Sequence, residues 1–229
     1  MGSIVYFQES IHVTTDVPQL LVIDGQQRIT TISLLIAALA EFIRDNTVEG
    51  IDTSFTRIQN YYLLNADETG ERRYKLILNR RDKETFINVI NGVPSDDNSS
   101  LRIVENFKFF KDQITMGNVV EVYNGILKLF IVEVALEKGV DNPQLIFESL
   151  NSTGLDLSQA DLIRNYILMT QEIKLQTELY EKHWYPMEQS FGNDYAISFD
   201  SFMRDYLSVK MGKIPKIGTV YQEFKNYIQ

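Results

Sequence analysis

The stretch LLVIDGQQRITTISLLIAALAEF, residues 20–42, decides the fold. Leu20 to Ile23 form a short apolar run of strand character. Asp24-Gly25 supplies a tight turn. From there Ile29, Ile32, Leu35, Ile36, Leu39 and Ile43 recur at spacings of three and four, the period of a helix. The switch of pattern sets a strand-to-helix seam at Gly25. It predicts a helix from about Gln26 to about Arg44 that is amphipathic to largely buried.

Working outward, SIVYFQE (3–9) is rich in β-formers and TTDVPQ (14–19) is turn-like, so two short strands open the chain. Residues 54–65 read as helical, YKLILN (74–79) as a strand and RRDKETFINVIN (80–91) as a helix. GVPSDDNSS (92–100) reads as a flexible loop. Helical segments come next at 100–114 and 118–129, and FIVEVAL (130–136) alternates as a strand. After that strands stop: 142–151, 158–171, 173–190, 198–211 and 216–228 all read as helices, punctuated by Gly154, Gly192, Gly212 and Pro215. The class is α+β and helix-dominated, a small sheet near the N-terminus followed by a helical tail. No internal repeat or low-complexity tract interrupts it.

Composition bounds the chemistry. At 229 residues and 44% hydrophobic the chain can bury a sizeable core. With 22 Lys and Arg against 31 Asp and Glu, its net charge of -9 opposes a polyanion over most of the surface, so any nucleic-acid contact must be local or lie elsewhere. The absence of cysteine excludes disulfides, thiolate metal sites and a cysteine nucleophile, and is compatible with a reducing cytosol. His12 and His183 are the two imidazoles. The nearly apolar segment Ile29 to Ile43 is too short to span a bilayer and lacks the features of a signal peptide, so a cytoplasmic protein without a membrane segment is expected.

The seam itself admits two readings. A helix N-terminus offers unpaired N–H donors and the positive end of a dipole, Gly25 permits close approach to the backbone, and Arg28 adds a planar fork suited to phosphate oxygens. Asp24 could hold a magnesium-bound water or orient Arg28. In the plainer reading Asp24 caps the helix, and Gln26, Gln27 and Arg28 decorate its first turn. A second dense segment, IFESLNSTGLDLSQADLIRNYILM (146–169), has a capping box in Ser158 and Asp161. Glu148, Asn151, Arg164 and Asn165 sit there among positions that should be buried, and need either a structural network or a ligand.

DGQQRITTISLLIAAL (24–39) together with FESLNSTGLDLSQADLIRNYIL (147–168) resembles the N-terminal domain of the GmrSD-type modification-dependent restriction enzymes, a bacterial family of ParB/sulfiredoxin-like fold. GSIVYF resembles the strand before the DGQQR motif, YKLILNRRDKETF a central strand and helix, and FDSFMRDYLSVKMGKIP with VYQEFKNYI the helical tail. The likeness covers nearly the whole chain and is least characteristic at 45–70 and 92–128. It implies a ParB-like nucleotide-binding core at 1–171 with a helical insertion at about 80–129, and a helical tail subdomain at 172–229. It also implies a magnesium nucleoside triphosphate, bound and hydrolysed to control DNA cleavage. Asp24, Gln27 and Arg28 would be the catalytic group, and Gly25, Gln26, Gln27, Arg28, Glu148, Asn151, Arg164 and Asn165 the nucleotide-binding set. By the same likeness the chain is expected to lack an upstream I-P-x-Y-Q-R segment, to reach DNA through regions outside this sequence, and to work with an HNH-like nuclease domain in cis or in trans.

Three features mimic other sites. His183-Trp184-Tyr185-Pro186 spells H-x-x-P, but a metal nuclease needs several convergent ligands, and Trp184 is expected to pack the tail. Gly70-Glu71-Arg72-Arg73 matches a ParB signature yet precedes a strand, so a charged turn is expected. Phe107, Phe109 and Phe110 beside Lys108 and Lys111 suit a core or interface better than base stacking. The leading functional expectation is an NTP-binding and NTP-hydrolysing regulatory domain of a phage-defence restriction system. The alternatives are a module that senses a nucleotide or modified DNA without turnover, and a helical fragment that pairs with a partner protein.

Overall fold

The computed structural model describes residues 2–8, 17–137, 158–169, 171, 173–192 and 195–228. The chain divides into two compact units, Met1–Leu136 and Glu137–Gln229.

In the first unit, β1 (Gly2–Gln8) is the middle strand of a mixed three-stranded sheet. It pairs antiparallel with β2 (Leu20–Asp24) and parallel with β3 (Ile131–Leu136). The β1–β2 register slips between Val5, opposite Asp24, and Tyr6, opposite Val22, leaving Ile23 without an opposite number. Such a bulge bends the strand and re-aims the backbone beyond it. The chain then enters α1 (Gln26–Asp45) through Gly25.

Helix α1 is buried almost all round from Ser33 to Glu41, because the unit wraps both of its sides. Leu34, Ile36, Ala37 and Ala40 pack with Ile58 and Leu63 from the segment α2 (Phe55–Ile58) and its π-helical extension Gln59–Leu63. Phe86 and Val89 of α3 (Arg80–Ile90) and Ile103 of α4 (Leu101–Gln113) complete that cluster. Ala38 and Leu39 face Ile114 and Val119, the latter opening α5 (Val119–Leu127). Each fully buried Leu, Ile, Val or Phe side chain among them contributes about 1.5–3 kcal/mol. Glu41, the charged residue within this buried stretch, is held by Lys111 Nζ of α4 at 2.7 Å.

The alternation in YKLILN does not produce a strand. Tyr74 makes a single antiparallel bridge to Leu64, and Lys75 N–H donates to Leu63 C=O at 2.9 Å. The segment beyond is extended without a ladder. Tyr74, Leu76 and Leu78 still point inward against the core. The period of two therefore reports an extended backbone lying on helices. Gly70–Arg73 forms a 3-10 turn, as its charge predicts, and Phe107 and Phe110 pack on the core while Phe109 stays exposed.

The second unit is helical in its described residues: α6 (Gln159–Met169), α7 (Ile173–Leu179), a π-helical turn at Tyr180–Trp184, α8 (Tyr185–Phe191), α9 (Tyr195–Met211) and α10 (Val220–Ile228). Its core joins Ala160 and Ile163 to Phe199, Met203, Leu207 and Val220. Trp184 is buried there and donates its indole N–H to the Tyr195 hydroxyl at 3.0 Å. Burial pushes that Tyr195 hydroxyl's pKa up strongly, so it stays a neutral partner. The predicted helix at 142–151 lies outside the described residues. Among the described residues no helix is long and apolar enough to cross a membrane.

Candidate functional site at the strand-to-helix turn

Five of the residues singled out in the sequence lie together on one turn. Gly25 is the N-cap of α1, with φ 94° and ψ 5° in the left-handed region. A Cβ there would meet Ile4 Cγ1 at 3.1 Å, the Ser3 carbonyl oxygen at 3.2 Å and Ile4 Cα at 3.3 Å. Both the conformation and the close approach to β1 require glycine.

No side chain caps α1. Its first backbone hydrogen bond runs from Ile29 N–H to Gly25 C=O at 3.0 Å. The amides of Gln26, Gln27 and Arg28 therefore have no helical acceptor, and Gln26 and Gln27 are exposed. The reading of Asp24 as a cap is thus corrected. Its carboxylate bonds Arg28 Nη2 at 2.5 Å instead, four residues along and one turn into the helix. Strand pairing with Val5 holds the Asp24 backbone at the end of β2, too far back to cap.

Arg28 is aimed by two contacts. Asp24 grips one amino group, and the other lies over Gly2, where a Cβ would sit 2.5 Å from Nη1. Gly2, at φ 107°, thus leaves the space that Arg28 occupies, a packing that sequence reasoning missed, with a glycine heading a strand as its local signal. The Gln26 carboxamide donates to Val22 C=O at 2.8 Å, pinning the turn to β2. Thr30 Oγ1 bonds Gln26 C=O at 2.8 Å. The result is a half-buried guanidinium beside three open amides at the positive end of a 20-residue helix. This arrangement can receive phosphate oxygens.

The turn carries one carboxylate, and among the described residues no cluster of three or more His, Asp or Glu could hold a metal ion. That donor set suits a magnesium ion held mainly by phosphate and water, with one carboxylate at hand. It does not suit a metal caged by protein.

The other nominated residues lie elsewhere in the chain. Glu148 and Asn151 are outside the described residues. Arg164 and Asn165 are half-buried on α6 of the second unit, where Arg164 pairs with Asp161 at 2.9 Å. Ser158 and Asp161 form the expected cap: Ser158 Oγ donates to Asp161 Oδ2 at 2.8 Å and accepts from Asp161 N–H at 3.1 Å. His183 lines an apolar recess of about 230 Å³ with Ile167, Leu168, Leu179, Trp184 and Met187, a lining without a second imidazole or a carboxylate.

A family model described as the GmrSD restriction endonuclease, N-terminal domain, matches residues 1–168. No curated protein matches the chain.

Proposed function

The chain belongs to the GmrSD restriction endonuclease N-terminal domain family, a component of restriction systems, and from that premise we propose that its Asp24–Arg28 turn binds the phosphates of a nucleoside triphosphate and supports its hydrolysis to regulate DNA cleavage. The observation that carries this reading is the uncapped N-terminus of α1 with Arg28 held beside it. The amides of Gln26, Gln27 and Arg28 receive a phosphate, and the Arg28 guanidinium neutralises its charge while Asp24 fixes the fork. In this reading Gln27, exposed in the first turn, orients a water or bonds a phosphate oxygen. A magnesium ion carried by the nucleotide would supply further charge neutralisation, with Asp24 the carboxylate at hand. Positioning and electrostatics account for rate in phosphoryl transfer of this kind.

Calorimetric titration with a magnesium nucleotide, with phosphate release measured in parallel, tests the proposal. Arg28→Ala removes a charge-assisted contact worth about 1.5–3 kcal/mol, roughly ten- to hundred-fold in affinity. Unchanged affinity in a folded variant moves the nucleotide elsewhere, and binding without phosphate release makes the domain a sensor. Glu148, Asn151, Arg164 and Asn165 are the second set that the family likeness nominates. A weaker affinity in Asn165→Ala at an unchanged unfolding midpoint brings α6 into the site, and an unchanged affinity removes it.

A further inference from the structure

Helix α9 carries two apolar stripes. Phe199, Met203 and Leu207 pack into the second unit's core. Phe202, Tyr206 and Val209 recur at spacings of four and three on another face, and are 48%, 38% and 84% exposed. One apolar stripe suffices to seat a helix on its unit, so the second is surplus to the fold.

The outward stripe is held in shape by its neighbours. Phe202 stacks on Tyr206 with ring centroids 6.4 Å apart, Phe191 of α8 braces Phe202 at 5.9 Å, and Tyr227 of α10 meets Tyr206 edge-on at 6.2 Å. Such a surface loses little side-chain freedom when it is covered. The spacing is the d-a-d of a coiled-coil seam, with Phe202 and Val209 at d and Tyr206 at a. It is short, because the helix ends at Met211, and Tyr227 and Ile228, exposed on α10, widen it. In the same frame the residues that flank the seam are Asp205 at g and Lys210 at e, both exposed. Arg204 Nη2 pairs with Asp205 at 2.8 Å, and Lys210 Nζ lies 5.6 Å over the Tyr206 ring of its own helix. Both contacts are at the surface and leave the two charges accessible to a second partner.

We infer that this stripe is a self-association surface, on which α9 pairs in parallel with α9 of a second copy of the chain about a two-fold axis. Charge complementarity selects that occupant. In a parallel pair the g residue of one helix meets the e residue five positions on in the other, and Asp205 and Lys210 stand five apart. Two-fold symmetry makes the match twice. An antiparallel pair sets g beside g and e beside e, so the acid and the lysine flank opposite sides and the match is lost. The aromatic and aliphatic seam supplies the affinity, and the exposed charges set its direction. The inference does not depend on the nucleotide reading of the Asp24–Arg28 turn.

Sedimentation equilibrium of the full chain over about a hundredfold range of concentration tests it, and a reversible monomer–dimer equilibrium is expected. Val209→Asp puts a carboxylate into the seam at a position that the monomer leaves open to solvent, and is expected to stay monomeric throughout. D205K sets lysine against lysine twice and is expected to weaken the dimer about tenfold or more, while the double swap D205K/K210D restores the parent affinity to within about threefold. The chain has no cysteine, so V209C supplies a single thiol. Mild oxidation is expected to join two copies through it, and to leave Ile197→Cys, exposed on another face of α9, unjoined. A parent that is monomeric throughout leaves the stripe to a different protein and overturns the inference. So does a dimer of unchanged affinity in V209D shown folded by circular dichroism, or one that D205K weakens and the double swap does not restore.

Discussion

Helix α1 and helix α6 begin in opposite ways. At α6 every means of closing a helix N-terminus is used. Ser158 and Asp161 cap each other, Arg164 pairs with Asp161, and the Asp200 carboxylate reaches across from α9 to accept from Ala160 N–H at 2.7 Å and Gln159 N–H at 3.3 Å. The Gln159 carboxamide in turn accepts from Tyr221 N–H at 2.8 Å, tying down the start of α10. At α1 the N-cap is glycine, the first turn has no acidic residue, and the Asp24 carboxylate just before it holds an arginine beside the open amides. Unsatisfied amides cost stability unless water or a ligand meets them. A chain that closes one helix end with its own carboxylate and leaves another open, with a cation added, supports the proposal of an anion site at the second.

The comparison breaks most severely at Gly25. Gly25→Ala forces a Cβ into a left-handed backbone and against Ile4 and the Ser3 carbonyl. The expected loss is about 2–4 kcal/mol, read as a lower chemical-denaturation midpoint for the first unit. Survival of Gly25→Ala at parent stability would mean that the turn has an alternative conformation. The counterpart at the closed end is smaller. Asp200→Ala orphans two amides at the start of α6, and the expected cost is about 1–2 kcal/mol with nucleotide binding unchanged. A loss of nucleotide affinity in that variant would tie α6 to the site after all.

The legibility of each feature depends on where its signal is written. The start of α1 is local: the hydrophobic period changes from strand to helix at Asp24-Gly25, and the helix begins at Gln26. The cap at α6 is also local, since Ser158 and Asp161 are three residues apart. Asp200 lies some forty residues from the amides it accepts, so no window of sequence contains the pair. Gly2 under Arg28 is hidden for the same reason. YKLILN misled in another way. Its alternation is real in the burial of Tyr74, Leu76 and Leu78, but a ladder needs a partner strand, and among the described residues the segment makes a single bridge, Tyr74 to Leu64. That Asp24 does not cap follows from the N-cap falling at Gly25 and from the turn of its carboxylate toward Arg28, neither of which the local pattern encodes.

Making α1 resemble α6 sharpens the contrast. Gln27→Glu places an acid in the first turn of α1, where the helix dipole favours it by about 0.3–1 kcal/mol. Thermal melting should show a slightly more stable protein, while calorimetry should show weaker nucleotide binding because the new carboxylate repels phosphate. A variant that gains stability and keeps its affinity would show that the open amides are not where the phosphates lie.

The smallest effect is a pH dependence at the closed end. Burial raises the Asp200 pKa above the ordinary carboxylate value, offset in part by the N–H groups of Ala160 and Gln159 and reinforced by the nearby Asp161. A raised folded-state pKa means that the folded protein takes up this proton before the unfolded chain does. The resulting stabilisation is fully present below the ordinary carboxylate pKa and fades as pH rises through the raised value. Between those limits the parent should gain stability relative to Asp200→Asn, which cannot titrate, as pH falls. The difference in unfolding free energy between the two proteins should change by less than one proton's worth, about 1.4 kcal/mol per pH unit. Denaturant unfolding at a series of pH values from neutral to about 4 measures it. A difference that moves the opposite way would mean that the two amides outweigh burial and hold Asp200 ionised, making the closure of α6 electrostatically stronger than its buried setting indicates.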